Sequence, residues 1–185
     1  MRSIASTPFV RVLCGMLLSA IAESAIAVDG AYVTVGGGQH VGVYGLGLSW
    51  APWKTLPINA DSSLSLRGVA GVALWDARNG SSDQSLINIS VYPVLRLDMT
   101  SVPGVVPYIE GSVGFNLLSR TRIDDRELST AFQFGEYVGV GLAFGDKRQY
   151  DVGVRYQHVS NADIKKPNDG LTFGSVVFQY RFGSP

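Results

Sequence analysis

Apolar residues in this chain alternate with small or polar ones over long stretches, a period of two that belongs to strands and not to helices. Stretches with that period fall at about 31–37, 41–50, 63–75, 84–97, 105–118, 130–144, 149–160 and 171–182, which predicts eight strands. Residues 31–53 carry no Asp, Glu, Lys or Arg, as a spanning helix would, yet six glycines and His40 interrupt them and the period stays at two. In the fourth strand Ile87, Ile89, Val91, Pro93, Leu95 and Leu97 share one face, opposite Asn88, Ser90, Tyr92 and Arg96. In the fifth, Ile109, Val113, Phe115 and Leu117 oppose Tyr108, Glu110, Ser112 and Asn116. The seventh sets Val152, Val154 and Tyr156 against Asp151, Arg155 and Gln157.

Such alternation suits a soluble barrel with an apolar lumen or a membrane barrel with an apolar wall, and the minority face separates them. Arg67, Arg96, Glu110 and Arg155 fall mid-strand among Gly, Ser and Asn, sparse and rich in Arg. A soluble barrel would carry a denser Lys and Glu face toward water. A charge on the lipid side of a membrane barrel costs about 2 to 4 kcal/mol at the midplane, so these few charges belong in a narrow lumen. The expected fold is all-β, an eight-stranded antiparallel transmembrane β-barrel of the bacterial outer membrane. A soluble ligand-binding barrel is the alternative. Phe178, Tyr180 and Phe182 alternate with Gln179 and Arg181, like the closing strand of outer-membrane barrels, although Gly183, Ser184 and Pro185 follow. With both ends of the barrel in the periplasm, segments 76–83, 119–129 and 161–170 become outer loops. The stretch Pro52–Ser62 is long for a periplasmic turn, and the pattern does not explain it.

Composition narrows the class further. The 185 residues are 46% hydrophobic and 16% charged, with 15 basic and 15 acidic side chains, which excludes a basic nucleic-acid binder and an acidic disordered tail. The 22 glycines favour strands and turns. Arg2 and Arg11, the uncharged run Val12–Ala22 and the small-x-small Ala25-Ile26-Ala27 read as an export signal over 1–27, with the barrel over 28–185. The run is about half of what a membrane anchor needs. Cys14 is the one cysteine and leaves with that signal, so thiol catalysis is excluded, and His40 and His158 are too few for a histidine-rich metal centre.

Beyond Val152, Val154 and Tyr156 the apolar face of the seventh strand continues into His158 and Ser160. Two residues apart, these side chains point the same way, toward lipid near the outer membrane surface. A serine beside a histidine makes a nucleophile with its general base. The other reading is a strand that has left the hydrocarbon and turned polar. No Gly-x-Ser-x-Gly elbow competes.

The segment HVSNADIKKPNDG at 158–170 closely resembles the corresponding stretch of the outer-membrane lipid A 3-O-deacylase (PagL) family, and YGLGLSW at 44–50 and PYIEGSVG at 107–114 are similar to it too. That resemblance implies an eight-stranded barrel hydrolysing the ester-linked acyl chain at position 3 of lipid A, without metal or cofactor. The implied partners are lipid A or lipopolysaccharide as substrate and the outer membrane as setting, and a homodimer is allowed. By the same resemblance Ser160 is the nucleophile, His158 the base and Asn161 an oxyanion-stabilising residue. Phe132, Phe134, Tyr156 and Phe173 stand near enough to flank acyl chains, or form an aromatic girdle.

One position departs from the family pattern. An acid that orients the histidine is expected fourteen residues after it, where this chain has Thr172. The choices are a Ser-His pair without an acid, a substitute acid, or a non-catalytic barrel of adhesive or structural kind. Pairing Leu142 with Val152 through a short turn brings Glu136 opposite His158, with Cβ atoms about 4.5 to 5.5 Å apart. Glu136 also interrupts the apolar series Phe132, Phe134, Val138, Val140 and Leu142, so it is the expected substitute. Asp163 and Asp169 are loop alternatives, with turn formation as their simpler role.

Overall fold

A computed structural model describes residues 28–77, 85–100 and 104–182. The proposed export signal, residues 1–27, and most of the outer segment 76–83 lie outside the described residues. Eight long strands form the wall: β1 (Val28–Gly38), β2 (Val41–Trp50), β4 (Ser62–Ala77), β5 (Ser85–Met99), β6 (Val105–Leu118), β9 (Phe132–Phe144), β10 (Tyr150–Ser160) and β11 (Leu171–Arg181). Three short strands accompany them: β3 (Lys54–Asn59), β7 (Arg122–Ile123) and β8 (Arg126–Glu127). The wall runs β2-β1-β11-β10-β9-β6-β5-β4 and closes by β2–β4 pairing, antiparallel throughout. Closure removes every wall edge that would otherwise present unpaired backbone groups to hydrocarbon.

Sidedness follows the sequence pattern. Val113 and Val138 are each 63% exposed on the outside, whereas Arg96 at 2% and Glu110 at 5% are inside. This partition is the inverse of a soluble barrel, and it overturns that alternative. Within the lumen four ion pairs form: Arg96 donates to Asp98 at 2.8 Å and to Asp151 at 2.6 Å, Arg181 donates to Asp151 at 2.8 Å, and Arg155 donates to Glu110 at 2.7 Å, whereas buried Arg67 is in no ion pair among the described residues. Pairing of this kind offsets part of the cost of desolvating each ion. Midway up, Asn116 and Gln157 both donate to the Tyr92 hydroxyl, each at 2.7 Å. The outer mouth is apolar. Trp75, Leu86, Leu118, Val159, Leu171 and Phe173 meet Ile123 and Leu128 of the 119–131 loop in one buried cluster. A cavity in the lumen lined by Tyr32, Tyr92, Tyr137 and Gln157 holds about 50 Å³.

The unexplained stretch Pro52–Ser62 is a continuation of the wall. Ser49 of β2 pairs with Val69 of β4, and after a break at Ala51–Trp53 the strand β3 takes the same place beside β4, with Lys54 opposite Leu66. Trp53 N–H bridges the break to the Leu66 carbonyl at 2.8 Å. Asn59 then caps the turn by accepting from Asp61 N–H and the Ser62 hydroxyl, each at 2.9 Å.

Candidate active site

Strand β10 carries the candidate residues because its period of two continues unbroken to its outer end. Tyr156 is exposed on the outer wall, and His158 and Ser160, half-buried, follow it on the same face. The register places His158 between two neighbours: Glu136 on β9 and Thr172 on β11. Ser160 stands opposite Phe134. The turn-based register drawn from the sequence is therefore the observed one.

The two neighbours are used differently. His158 Nδ1 lies 2.8 Å from the Thr172 hydroxyl oxygen. Glu136 makes neither hydrogen bond nor ion pair among the described residues, so its expected bond to the imidazole is not formed. The Thr172 backbone N–H donates to the Gln39 side-chain carbonyl at 2.8 Å, from the turn between β1 and β2. Gly170 lies against the imidazole: a Cβ there would come within 2.8 Å of His158 Cε1 and 3.3 Å of Nε2. The Ser160 hydroxyl has no hydrogen-bond partner among the described residues.

The loop after Ser160 is held from below. Asn161 is 0% exposed; its side-chain amide donates to the Leu128 carbonyl at 2.9 Å and the Lys165 carbonyl at 2.8 Å, and its backbone N–H donates to Asn168 Oδ1 at 3.1 Å. With these donors engaged, Asn161 serves as the clasp of the loop and has no donor free for an oxyanion. Asp163 accepts from Asn168 Nδ2 at 3.0 Å and pairs with Lys166 at 2.9 Å. Those bonds hold its carboxyl below the usual carboxylate range. Asp169 accepts the Glu127 N–H at 2.7 Å. Neither loop aspartate bonds to His158, so turn and loop formation is the role the geometry gives them. Arg126 donates to the carbonyls of Asp169 and Gly170 at 3.3 and 3.4 Å, joining the β7–β8 hairpin to the same loop.

A groove of about 590 Å³ runs down the outer wall from His158 and Glu136, past Tyr156 and Val113, to Leu95 and Leu66. It is more than ten times the volume of the lumenal cavity. Beside the site Phe115, Phe132 and Phe134 stack with centroids 5.2 to 6.0 Å apart. Phe173, expected beside acyl chains, is instead 4% exposed in the lumen against Trp75. It follows Thr172, and neighbours in a strand point to opposite faces. Two contributors, Gln39 and Arg126, went unnoticed in the sequence. The only signal for Gln39 was a long polar residue in a two-residue turn, and Arg126 had none beyond loop charge.

The lipid A 3-O-deacylase (PagL) family model matches residues 42–181. A lipid A deacylase PagL of Pseudomonas aeruginosa is 31% identical over 88% of this chain and 91% of its own length. One from Bordetella bronchiseptica is 33% identical over 64% of each. A crystal structure of the outer membrane enzyme PagL superimposes with a TM-score of 0.71 at 31% identity, covering 82% of this chain and 98% of that one. Fold, sidedness and sequence thus agree, and the chain belongs to the lipid A 3-O-deacylase (PagL) family of outer-membrane β-barrels.

Proposed function

We propose that this protein is a serine esterase that removes the ester-linked acyl chain at position 3 of lipid A in the outer leaflet. The observation that carries the reading is the pair His158 and Ser160 on the lipid-facing wall, at the head of an apolar groove. Lipid A has its esters just beneath the headgroup, so a site on the outer wall meets them without drawing the lipid out of the membrane. In the lumen, below the apolar cluster at its mouth, the cavity lined by Tyr32, Tyr92 and Tyr137 holds only about 50 Å³.

In the reaction the Ser160 hydroxyl attacks the ester carbonyl while His158 Nε2 takes its proton. Collapse of the tetrahedral intermediate breaks the bond to the sugar oxygen, which receives that proton from the imidazolium. A water then attacks the acyl-Ser160 ester, giving up a proton to His158, and the fatty acid leaves as the serine is restored. For Nε2 to act as base the ring hydrogen must sit on Nδ1, and Thr172 accepts it there at 2.8 Å. A hydroxyl holds the ring plane, but as donor and acceptor alike it does not select the tautomer as a carboxylate does, and it supplies no negative charge. Thr172 is thus a positioning residue. Glu136, opposite in register and without a hydrogen-bond partner among the described residues, stands near the imidazole without bonding to it.

The test is expression in a host whose lipid A is unmodified, followed by mass spectrometry of the extracted lipid. The expected result is loss of one ester-linked hydroxyacyl chain, abolished in Ser160→Ala and in His158→Ala. An unchanged spectrum from well-folded wild-type protein would mean a non-catalytic barrel.

A further inference from the structure

We infer that Gln39 is a positioning residue of this esterase, acting on His158 through Thr172; the inference rests on the catalytic reading above. Gln39 and His40 form the two-residue turn between β1 and β2, and both have positive φ, 52° and 66°. Two-residue hairpin turns with positive φ at both positions ordinarily take Asn-Gly or Gly-Gly, because a Cβ is strained there. Here two long polar side chains occupy the strained positions, and each reaches a different outer element. His40 approaches Asp124 of the 119–131 loop at 3.8 Å. Gln39 accepts the Thr172 N–H at 2.8 Å.

The Gln39 bond sits where the main chain runs out. Pairing between β1 and β11 ends at Gly37 opposite Gly174, so the Thr172 N–H lies beyond the last paired residue of β1. The Gln39 side chain extends that ladder by one bond. Gly38 permits the approach, since a Cβ there would lie 2.5 Å from the Thr172 carbonyl oxygen and 2.9 Å from Phe173 Cα. Thr172 is therefore gripped from two sides: its backbone by Gln39 and its hydroxyl by the imidazole. In a triad with a carboxylate, charge alone would draw the histidine into line. With a neutral threonine the alignment depends on where the backbone holds the hydroxyl, which raises the importance of Gln39.

The variant Gln39→Gly separates this role from a structural one, because glycine relieves the strained φ while removing the acceptor. We expect kcat on lipid A micelles to fall about fivefold, the worth of one ordinary hydrogen bond. KM should not change, and thermal stability should be equal or higher. Gln39→Glu, which keeps an acceptor at the same reach, should stay within about twofold of wild type, and Gln39→Met should behave like Gln39→Gly. Nitrogen NMR of the His158 ring gives a readout apart from turnover: one well-defined set of ring nitrogen shifts in wild type, shifted or broadened signals in Gln39→Gly. Wild-type rate and an unchanged ring in both Gln39→Gly and Gln39→Met overturn the inference. Absence of Ser160-dependent cleavage in wild type overturns the esterase reading beneath it, an outcome that involves no Gln39 variant.

Discussion

His158 and Thr172 face each other across the β10–β11 ladder, with imidazole Nδ1 2.8 Å from the threonine hydroxyl. Where the family resemblance leads one to expect an orienting acid, a threonine makes the hydrogen bond and carries no charge. Thr172→Val, which preserves shape, should therefore lower kcat by at least about tenfold through loss of the hydrogen bond that orients the ring. Thr172→Glu should raise it above wild type, because a carboxylate also stabilises the imidazolium. Initial rates on purified lipid A decide the matter. Equal rates for wild type and Thr172→Val would remove Thr172 from the mechanism.

Glu136 gives a second, weaker expectation. It shares the groove with His158 but does not bond to it, so Glu136→Gln should cost only about two- to fivefold, in keeping with a group that acts on the imidazole without a direct hydrogen bond. A loss of a thousandfold would instead make it the orienting acid. Combined with Thr172→Val in a double-mutant cycle, it shows whether the two neighbours of the imidazole act independently.

Gly170 is a steric gauge of the ring position. Its φ is +62°, and a Cβ would come within 2.8 Å of His158 Cε1. Gly170→Ala should displace the imidazole and reduce turnover by about tenfold or more, since misplacement of a catalytic group by about 1 Å is worth some hundredfold. The heat-dependent gel shift of the barrel should be unchanged. An active Gly170→Ala would show that the ring tolerates movement.

For Asn161 the geometry forecasts a loop defect. Asn161→Ala removes two hydrogen bonds, a buried one to the Leu128 carbonyl and a part-buried one to the Lys165 carbonyl, a cost of about 1 to 3 kcal/mol for the two together, while the Leu128 carbonyl keeps the Thr130 N–H and Gln133 Nε2. Proteolysis within 161–170 should accelerate together with the fall in activity. Reduced turnover with an unaltered loop would instead restore an oxyanion role. Acidification probes the same loop: the Asp163 carboxyl is held below its usual range by Lys166 and Asn168. Its bonds persist above the ordinary aspartate value and are lost as pH falls through the lowered one. Loop protection, followed by hydrogen exchange, should survive mild acid and fail only below it.

In the lumen, Glu110→Ala leaves the Arg155 guanidinium, bonded at 2.7 Å in the wild type, as an unpaired buried charge. Destabilisation of about 3 to 5 kcal/mol is expected from such a broken pair, seen as a lower unfolding temperature. Activity at permissive temperature should be retained, because the pair touches nothing on the outer wall.

Much of this molecule was legible in the sequence because a closed antiparallel barrel writes its two environments with a period of two. Arg67, Arg96, Glu110 and Arg155 could be placed inside, and Glu136 opposite His158, from parity and one short turn. The stretch after Pro52 was opaque because β2 breaks at Ala51–Trp53 and its continuation, β3, is only six residues long. Phe173 was misplaced although its parity with Thr172 already forbade the outer wall. Gln39 was out of reach: its contact with Thr172 joins residues 133 apart, and only closure of the barrel brings them together.

The groove has protein on one side only. Its remaining walls are the neighbouring lipids, so the medium in which the protein dissolves also furnishes the pocket and the reactant. Under those conditions the concentration that governs turnover is a mole fraction in the plane of the leaflet. Diluting the membrane with inert lipid should slow the reaction even when the total amount of lipid A in the tube is constant.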